Sequence, residues 1–294
     1  MQRTAVLAVI TSIHPLNHPM EIQASLQCIH LFSPQPRVLA EFYSRTYGMT
    51  LTQSGEYLVC TGPARSVAVS PGPVNQLKYA HFGLHSPQAW AAFAARTQDL
   101  PSEPVPERLA ALSPGRALRD PDGNLMVFTP VIEVAAPASD APSAATSQHF
   151  ALRTTRVAEM QAFYRDQLGF VVSDEVRDDA GELRACFLRT DSLHHALALF
   201  GAPITCFDHQ SFEAPGWDDM KKWGDRMAAL RVPIVWGIGR HGPGDDVFFM
   251  VRDPDNNLAE ISAEIEVCAP GRPAGQWPHE ERTLNVWGKA IMRS

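Results

Sequence analysis

A chain of 294 residues can form two domains with buried cores, and 45% apolar against 19% charged residues suits that reading. A net charge of -7 with no Arg/Lys block argues against nucleic acid as the main partner. The apolar run at residues 5–10 is too short to span a bilayer and has no convincing cleavage site before His14, Pro15 and His18, so neither a membrane anchor nor a leader is expected. Five cysteines, at positions 28, 60, 186, 206 and 268, lack paired spacing and are expected to be free thiols in a reducing cytoplasm.

In chain order, SLQCIHLF followed by VLAEFYSRTYGM reads as a short strand and an amphipathic helix ending near Gly48. KYAHFGLHSPQAWAAF gives a second strand and helix, and RDPDGNLMVF, from Arg119, a polar turn feeding an apolar strand. Residues 135–147, AAPASDAPSAATS, have little to bury and read as an exposed linker. The events then recur. TSQHFALRT and VAEMQAFYRDQLGF repeat the strand and the helix, which ends near Gly169. CFDHQSFEAPGWDDM repeats the second pair, and RDPDNNLAEI, from Arg252, repeats the turn. Cys28 and His149 each stand fourteen residues before a phenylalanine, Phe42 and Phe163, and twenty before the glycine.

The expected fold is therefore α+β, with tandem βαβββ modules forming two similar barrel-like domains. The boundaries are 1–134 for the first domain, 135–147 for the linker, 148–268 for the second domain and 269–294 for a Pro/Gly-punctuated tail. Trp277, Leu284 and Trp287 are expected to anchor that tail over the barrel mouth or against another subunit, which makes a homo-oligomer plausible.

Laying one half on the other sets His149 opposite Cys28, His209 opposite His81 and Glu260 opposite Val127. Only the second half then keeps two imidazoles and a carboxylate. That set leaves three positions open on an octahedral ion and suits non-haem Fe(II), with Mn(II) also compatible. Each residue has a plainer reading as well. His149 follows the linker, as a surface histidine would, and His209 suits a half-buried edge strand equally. Glu260 shares the parity of Leu258 and Ser262, but also of Glu264 and Glu266, which an exposed acidic face explains. His195 takes the parity of Leu197 and Leu199, and His194 that of Ala196 and Ala198; either suits packing or surface. His241, between glycines in GRHGPGDD, marks either a close backbone approach to a ligand or a turn.

At these residues the chain resembles the type I extradiol ring-cleavage dioxygenases of the vicinal oxygen chelate superfamily, which include dihydroxybiphenyl and catechol 2,3-dioxygenases. The likeness covers roughly residues 22–268 and rests on HHALAL, GRHGPGDD and RDPDNNLAE in that order. It implies a C-terminal iron site with His149, His209 and Glu260 as ligands, His195 over the oxygen-binding position and His241 near the substrate hydroxyls. His194 has no such counterpart and is read as structural. The implied reaction is Fe(II)-dependent insertion of both atoms of O2 beside the hydroxyls of a catechol-type ring, with a small aromatic diol and O2 as partners.

Many relatives carry a tyrosine ten residues before the glutamate, where this chain has Met250, and no tyrosine follows Tyr164. Methionine offers no hydroxyl donor. The departure leaves open a ring-cleaving enzyme for a hydroquinone or an aminophenol. A metal-dependent isomerase or lyase, and a non-enzymatic aromatic- or antibiotic-binding protein of the same fold, are the other readings.

Overall fold

The computed structural model describes residues 21–111, 114–131 and 139–293; the opening apolar run and the first part of the expected linker, residues 135–138, lie outside the described residues. Strand β1 (Ala24–Ser33), helix α1 (Pro36–Tyr47) and strands β2 (Thr50–Ser54), β3 (Tyr57–Gly62) and β4 (Arg65–Pro71) make one βαβββ unit. A second unit completes the first half: β5 (Leu77–Leu84), α2 (Pro87–Arg96), α3 (Glu107–Ala110), β6 (Arg116–Arg119) and β7 (Leu125–Pro130).

The second half repeats the order. Its first unit is β8 (Thr146–Thr154), α4 (Val157–Ala162) with a π-helical continuation (Phe163–Leu168), β9 (Val171–Arg177), β10 (Leu183–Arg189) and β11 (Leu197–Gly201). Its second is β12 (Cys206–Ala214), α5 (Trp217–Ala229), β13 (Ile234–Arg240), β14 (Val247–Arg252) and β15 (Leu258–Ala263). The tail adds β16 (Gly275–Pro278) and α6 (Glu281–Leu284).

Local chemistry explains the helix ends. Pro36 sits in the first turn of α1, where an amide hydrogen has no helical acceptor, and Gly48 closes the helix at φ 60. A Cβ on Gly48 would lie 2.7 Å from the Ala141 amide, so close packing and backbone conformation both require glycine there. Helix α5 buries Met220, Trp223 and Met227, spaced three and four apart on one face.

Within each half the two units join through antiparallel neighbours, β1 with β5 and β8 with β12. The result is a seven-stranded sheet, β2-β3-β4-β1-β5-β7-β6, and a nine-stranded one, β13-β14-β15-β12-β8-β11-β10-β9-β16. Among the described residues neither sheet closes into a true barrel: the end strands pair on one side only. One continuous apolar core runs through both halves, with Phe82, Phe128, Phe150, Phe170, Phe212 and Trp223 among its large side chains. The alternate residues of the nine-stranded sheet build a second cluster on its other face, including Phe187, Phe200, Trp236, Phe248, Met250 and Leu258.

The described part of the expected linker is largely exposed but is fastened at two points, Ser139 and the buried Ala145. The buried Arg65 guanidinium donates to the carbonyls of Tyr47 and Ala145, each at 2.9 Å, and to Ser139 Oγ at 3.1 Å. The tail closes over the second cluster: Leu284 is buried within it, and Trp277 Nε1 donates to Asp174 Oδ2 at 2.7 Å. Trp287, by contrast, is about half exposed, at 52%. Among the described residues no helix is long and apolar enough to cross a membrane.

Candidate metal centre

Strand register brings three distant side chains together. His149 on β8 pairs with Ser211 on β12, and Ser211 pairs with Glu260 on β15, so His149 and Glu260 share one row and one face. His209 lies two residues from Ser211 along β12 and so points to the same face. All three are buried, and their ligand atoms lie within 4.8 Å of one another. His149 Nε2 is 3.2 Å from Glu260 Oε2 and 3.2 Å from His209 Nε2, and His209 Nε2 is 3.7 Å from Glu260 Oε2.

The proton assignments decide what this cluster is built to hold. His209 Nδ1 lies 2.6 Å from the Asp208 carboxylate, an acceptor, so that nitrogen carries the proton. His149 Nδ1 faces Gln148 Oε1, and Gln148 spends its amide group on the His195 carbonyl at 2.5 Å, so His149 also carries its proton on Nδ1. Both Nε2 atoms therefore present lone pairs. Burial lowers the His149 pKa to about 4, which keeps its ring neutral. Among the described residues neither Glu260 oxygen has a hydrogen-bond partner. Two lone pairs and an ionised, orphaned carboxylate converging in a buried site are a poor arrangement for anything except a cation. The N2O donor set fits Fe(II) or Mn(II), and the fixed Nδ1 atoms match the usual setting of histidine ligands.

Comparing the halves by register corrects the sequence alignment. Cys28 pairs with His81 and His81 with Val127, so His81 is the counterpart of Ser211, and Tyr79 that of His209. The partners agree: His81 Nε2 bonds Thr129 Oγ1 at 2.8 Å, as Ser211 Oγ bonds Ser262 Oγ at 2.9 Å. The first half thus retains none of the three ligand types. In their place Arg108 approaches both counterparts, 3.5 Å from Cys28 Sγ and 3.4 Å from the Tyr79 hydroxyl.

His195 joins the site, though not by the expected parity. Residues 194–196 precede β11 and are irregular, and the His195 ring packs against His149 with centroids 4.2 Å apart. Leu197 and Leu199, whose parity it was assigned, face the main core instead. Burial, then the neighbouring imidazoles, depress the His195 pKa well below its ordinary value. His194 Nδ1 lies 3.0 Å from His195 Nδ1, and His194 Nε2 lies 3.2 Å from Asp174 Oδ2.

His241, just beyond β13, donates from Nδ1 to the Leu284 carbonyl at 2.6 Å and turns Nε2 toward Glu260 Oε1 at 3.4 Å. Burial would lower its pKa, but Asp246 and Glu260 outweigh burial and raise it. Met250 pairs with Glu260 and is fully buried in the apolar wall.

Several residues beside the site escaped the sequence reading. Asp208 holds His209 and is itself clamped by Arg293 at 2.9 Å and Arg153 at 2.6 Å. The Arg293 guanidinium reaches it between Phe200 and Trp236, 4.8 and 4.7 Å from their ring centroids. Asp246 packs with His241 and Glu260, their ligand atoms again within 4.8 Å, and burial pushes its pKa up to about 8. The acceptors directly preceding His149 and His209, Gln148 and Asp208, were a usable signal. No local pattern announces Arg293 or Asp174.

Comparison with known proteins matches the model of the Glyoxalase/Bleomycin resistance protein/Dioxygenase superfamily to residues 146–261. Over 158 residues the chain is 30% identical to "Biphenyl-2,3-diol 1,2-dioxygenase 3" of Rhodococcus globerulus, covering 49% of this chain and 75% of that protein. Over 145 residues it is 32% identical to "Metapyrocatechase 2" of Cupriavidus necator, covering 49% of this chain but only 44% of that protein, less than half its length. Similar solved structures include the Mn(II)-bound glyoxalase from Novosphingobium aromaticivorans, with TM-score 0.77 at 21% identity over 93% of both chains. An anaerobic substrate complex of homoprotocatechuate 2,3-dioxygenase from Brevibacterium fuscum gives TM-score 0.76 at 21% identity, over 95% of this chain and 93% of that one. At such identities the two structures speak for the fold.

Proposed function

We infer that this chain, which belongs to the Glyoxalase/Bleomycin resistance protein/Dioxygenase superfamily, is an Fe(II)-dependent extradiol dioxygenase that opens a catechol-type ring next to its hydroxyls. The observation that carries the reading is the convergence of two imidazole lone pairs and an unpartnered carboxylate on one buried point. In this proposal His149, His209 and Glu260 hold the ion, with Mn(II) as an alternative to iron. Held there, ferrous iron would supply the means of bringing an electron-rich diol to react with dioxygen.

The chain's own residues do the rest. Phe187, Phe200, Trp236, Phe248 and Leu258 give an apolar wall against which an aromatic ring can lie and from which water is kept away. His241 presents Nε2 toward the Glu260 side, where it can take or share a substrate hydroxyl proton. His195, buried and packed on His149, would take a proton from the second substrate hydroxyl, offer it to developing negative charge on oxygen and give it up as the ring opens. Gln148 ties His149 to the His195 backbone, so ligand and acid–base group are positioned as one unit.

The reading assigns chemistry to residues 148–268, a supporting role to 1–134 and closure to the tail at 269–294. Ferrous iron and five free thiols fit a reducing cytoplasm, and the partners are a small aromatic diol and O2. Met250 favours a second reading, cleavage of a hydroquinone or aminophenol, because its thioether cannot donate to a catechol hydroxyl. Oxygen uptake by the Fe(II)-loaded protein over catechols, hydroquinones and ortho-aminophenols tests both. Uptake with catechols supports the first reading, and uptake confined to the other rings replaces it with the second. Absence of uptake with every ring rules out both.

A further inference from the structure

Asp246 is a buried acid without a job in the scheme above. It is fully buried, and among the described residues neither carboxyl oxygen has a hydrogen-bond partner. The neighbouring His241 is already committed, since it donates from Nδ1 to Leu284 and aims Nε2 at Glu260. The backbone makes room for it: Gly244, at φ +87, would carry a Cβ only 3.1 Å from both Asp246 Oδ1 and His194 Nδ1. Asp246 therefore stands one residue before β14, its carboxyl beside Gly244 and its ligand atom within 4.8 Å of those of His241 and Glu260. An orphaned carboxyl in such a place costs stability until something donates to it.

We propose that Asp246 is a substrate-recognition residue, and that the ring this enzyme takes carries a third hydrogen-bond donor, an amine or hydroxyl, in addition to the two groups that meet the metal. The inference rests on the dioxygenase reading for those two groups. In either protonation state the carboxyl keeps an oxygen able to accept, so the contact does not depend on its titration. Two ring heteroatoms are consumed by the metal and His241, and Asp246 is the acceptor left over. With no hydroxyl at Met250, this acceptor, one residue before β14, is the polar group left to set specificity.

The test is anaerobic calorimetry on the full chain loaded with Fe(II) or Mn(II). The probes are catechol, pyrogallol, 1,2,4-benzenetriol, 3-aminocatechol and the methoxy counterparts of the two triols. The wild type should bind at least one donor-bearing ring about 10–100-fold more tightly than its methoxy counterpart and than catechol. Asp246→Ala should erase that preference, and Asp246→Asn should retain part of it. Preference for a hydroxyl supports a triol and preference for the amine an aminodiol. No preference in the wild type, or an equal fall for all rings in Asp246→Ala, overturns the proposal. Because binding is read without oxygen, a protein that shows the preference but consumes no O2 refutes the dioxygenase reading and not the recognition role. A thermal melt separates misfolding from both, since removing an unpaired buried carboxyl should not lower Tm.

Discussion

The Tyr43 hydroxyl donates to Asp253 Oδ2 at 3.0 Å, joining the first helix of one half to the RDPD turn of the other. Its counterpart runs the opposite way: Tyr164 donates to Asp120 Oδ2 at 2.9 Å. Duplication has thus produced a reciprocal clasp between halves, with each helix tyrosine capping the other half's turn aspartate. Tyr43→Phe or Tyr164→Phe should each destabilise the fold by about 1–3 kcal/mol, and the two losses should add because the pairs share no partner. Urea denaturation of the single and double variants checks this. A double variant no less stable than either single one contradicts it.

A pH dependence of stability follows from the first half's buried histidines. Burial, then nearby cations, lowers His30 and His81 to a pKa of about 3, so both are neutral when folded. The unfolded chain takes up their protons near pH 6.5. Their contribution is therefore intact above pH 6.5 and is lost as pH falls from there toward 3, by about 1.4 kcal/mol per pH unit for each group. His81→Gln should flatten the slope of stability between pH 6 and 4. An unchanged slope contradicts the assignment.

Metal occupancy should follow the three donors. His149→Ala, His209→Ala and Glu260→Ala should each abolish oxygen uptake by losing the ion, which metal analysis after dialysis reads directly. His195→Ala should keep the metal while turnover falls about 10²–10⁴-fold, the usual range for a lost acid–base group. Full metal content with wild-type turnover in His195→Ala removes it from the mechanism.

The tail is expected to tune the metal through Asp208. Burial alone would raise this carboxyl, but Arg293 and His209 hold its pKa well below the ordinary range. Arg293→Met should weaken metal affinity about 10–100-fold, as loss of an outer partner of a histidine ligand usually does. Competitive chelator titration measures it, and unchanged affinity confines the tail to covering the site.

Much of this was legible in the sequence because it depends on periodicity. The strand and helix around Cys28–Gly48 and His149–Gly169, and the paired RDPD turns, are patterns that repeat at fixed spacing. Glu260 was legible through parity with Leu258. Matching histidine to histidine misplaced His81 against His209, because ladder pairing sets the true correspondence and β8–β12 shifts register on both sides of the 209–211 stretch. His195 failed by parity because alternation holds only within a strand, and its strand begins at Leu197. The clamps Arg293–Asp208 and Asp174–His194 join residues far apart in the chain, so no local pattern foretells them. Residues 139–147 read as exposed by composition and most are, yet Ala145 is buried and its carbonyl accepts from Arg65 of the first half, a contact no composition signals.

The central claim is most directly tested with ¹⁸O₂. The Fe(II)-loaded protein, mixed anaerobically with an aromatic diol and then exposed to labelled dioxygen, should yield a ring-opened product carrying both labelled atoms, and the Glu260→Ala variant should yield none. Turnover under strict anaerobiosis, or a ring-opened product without label, contradicts the account.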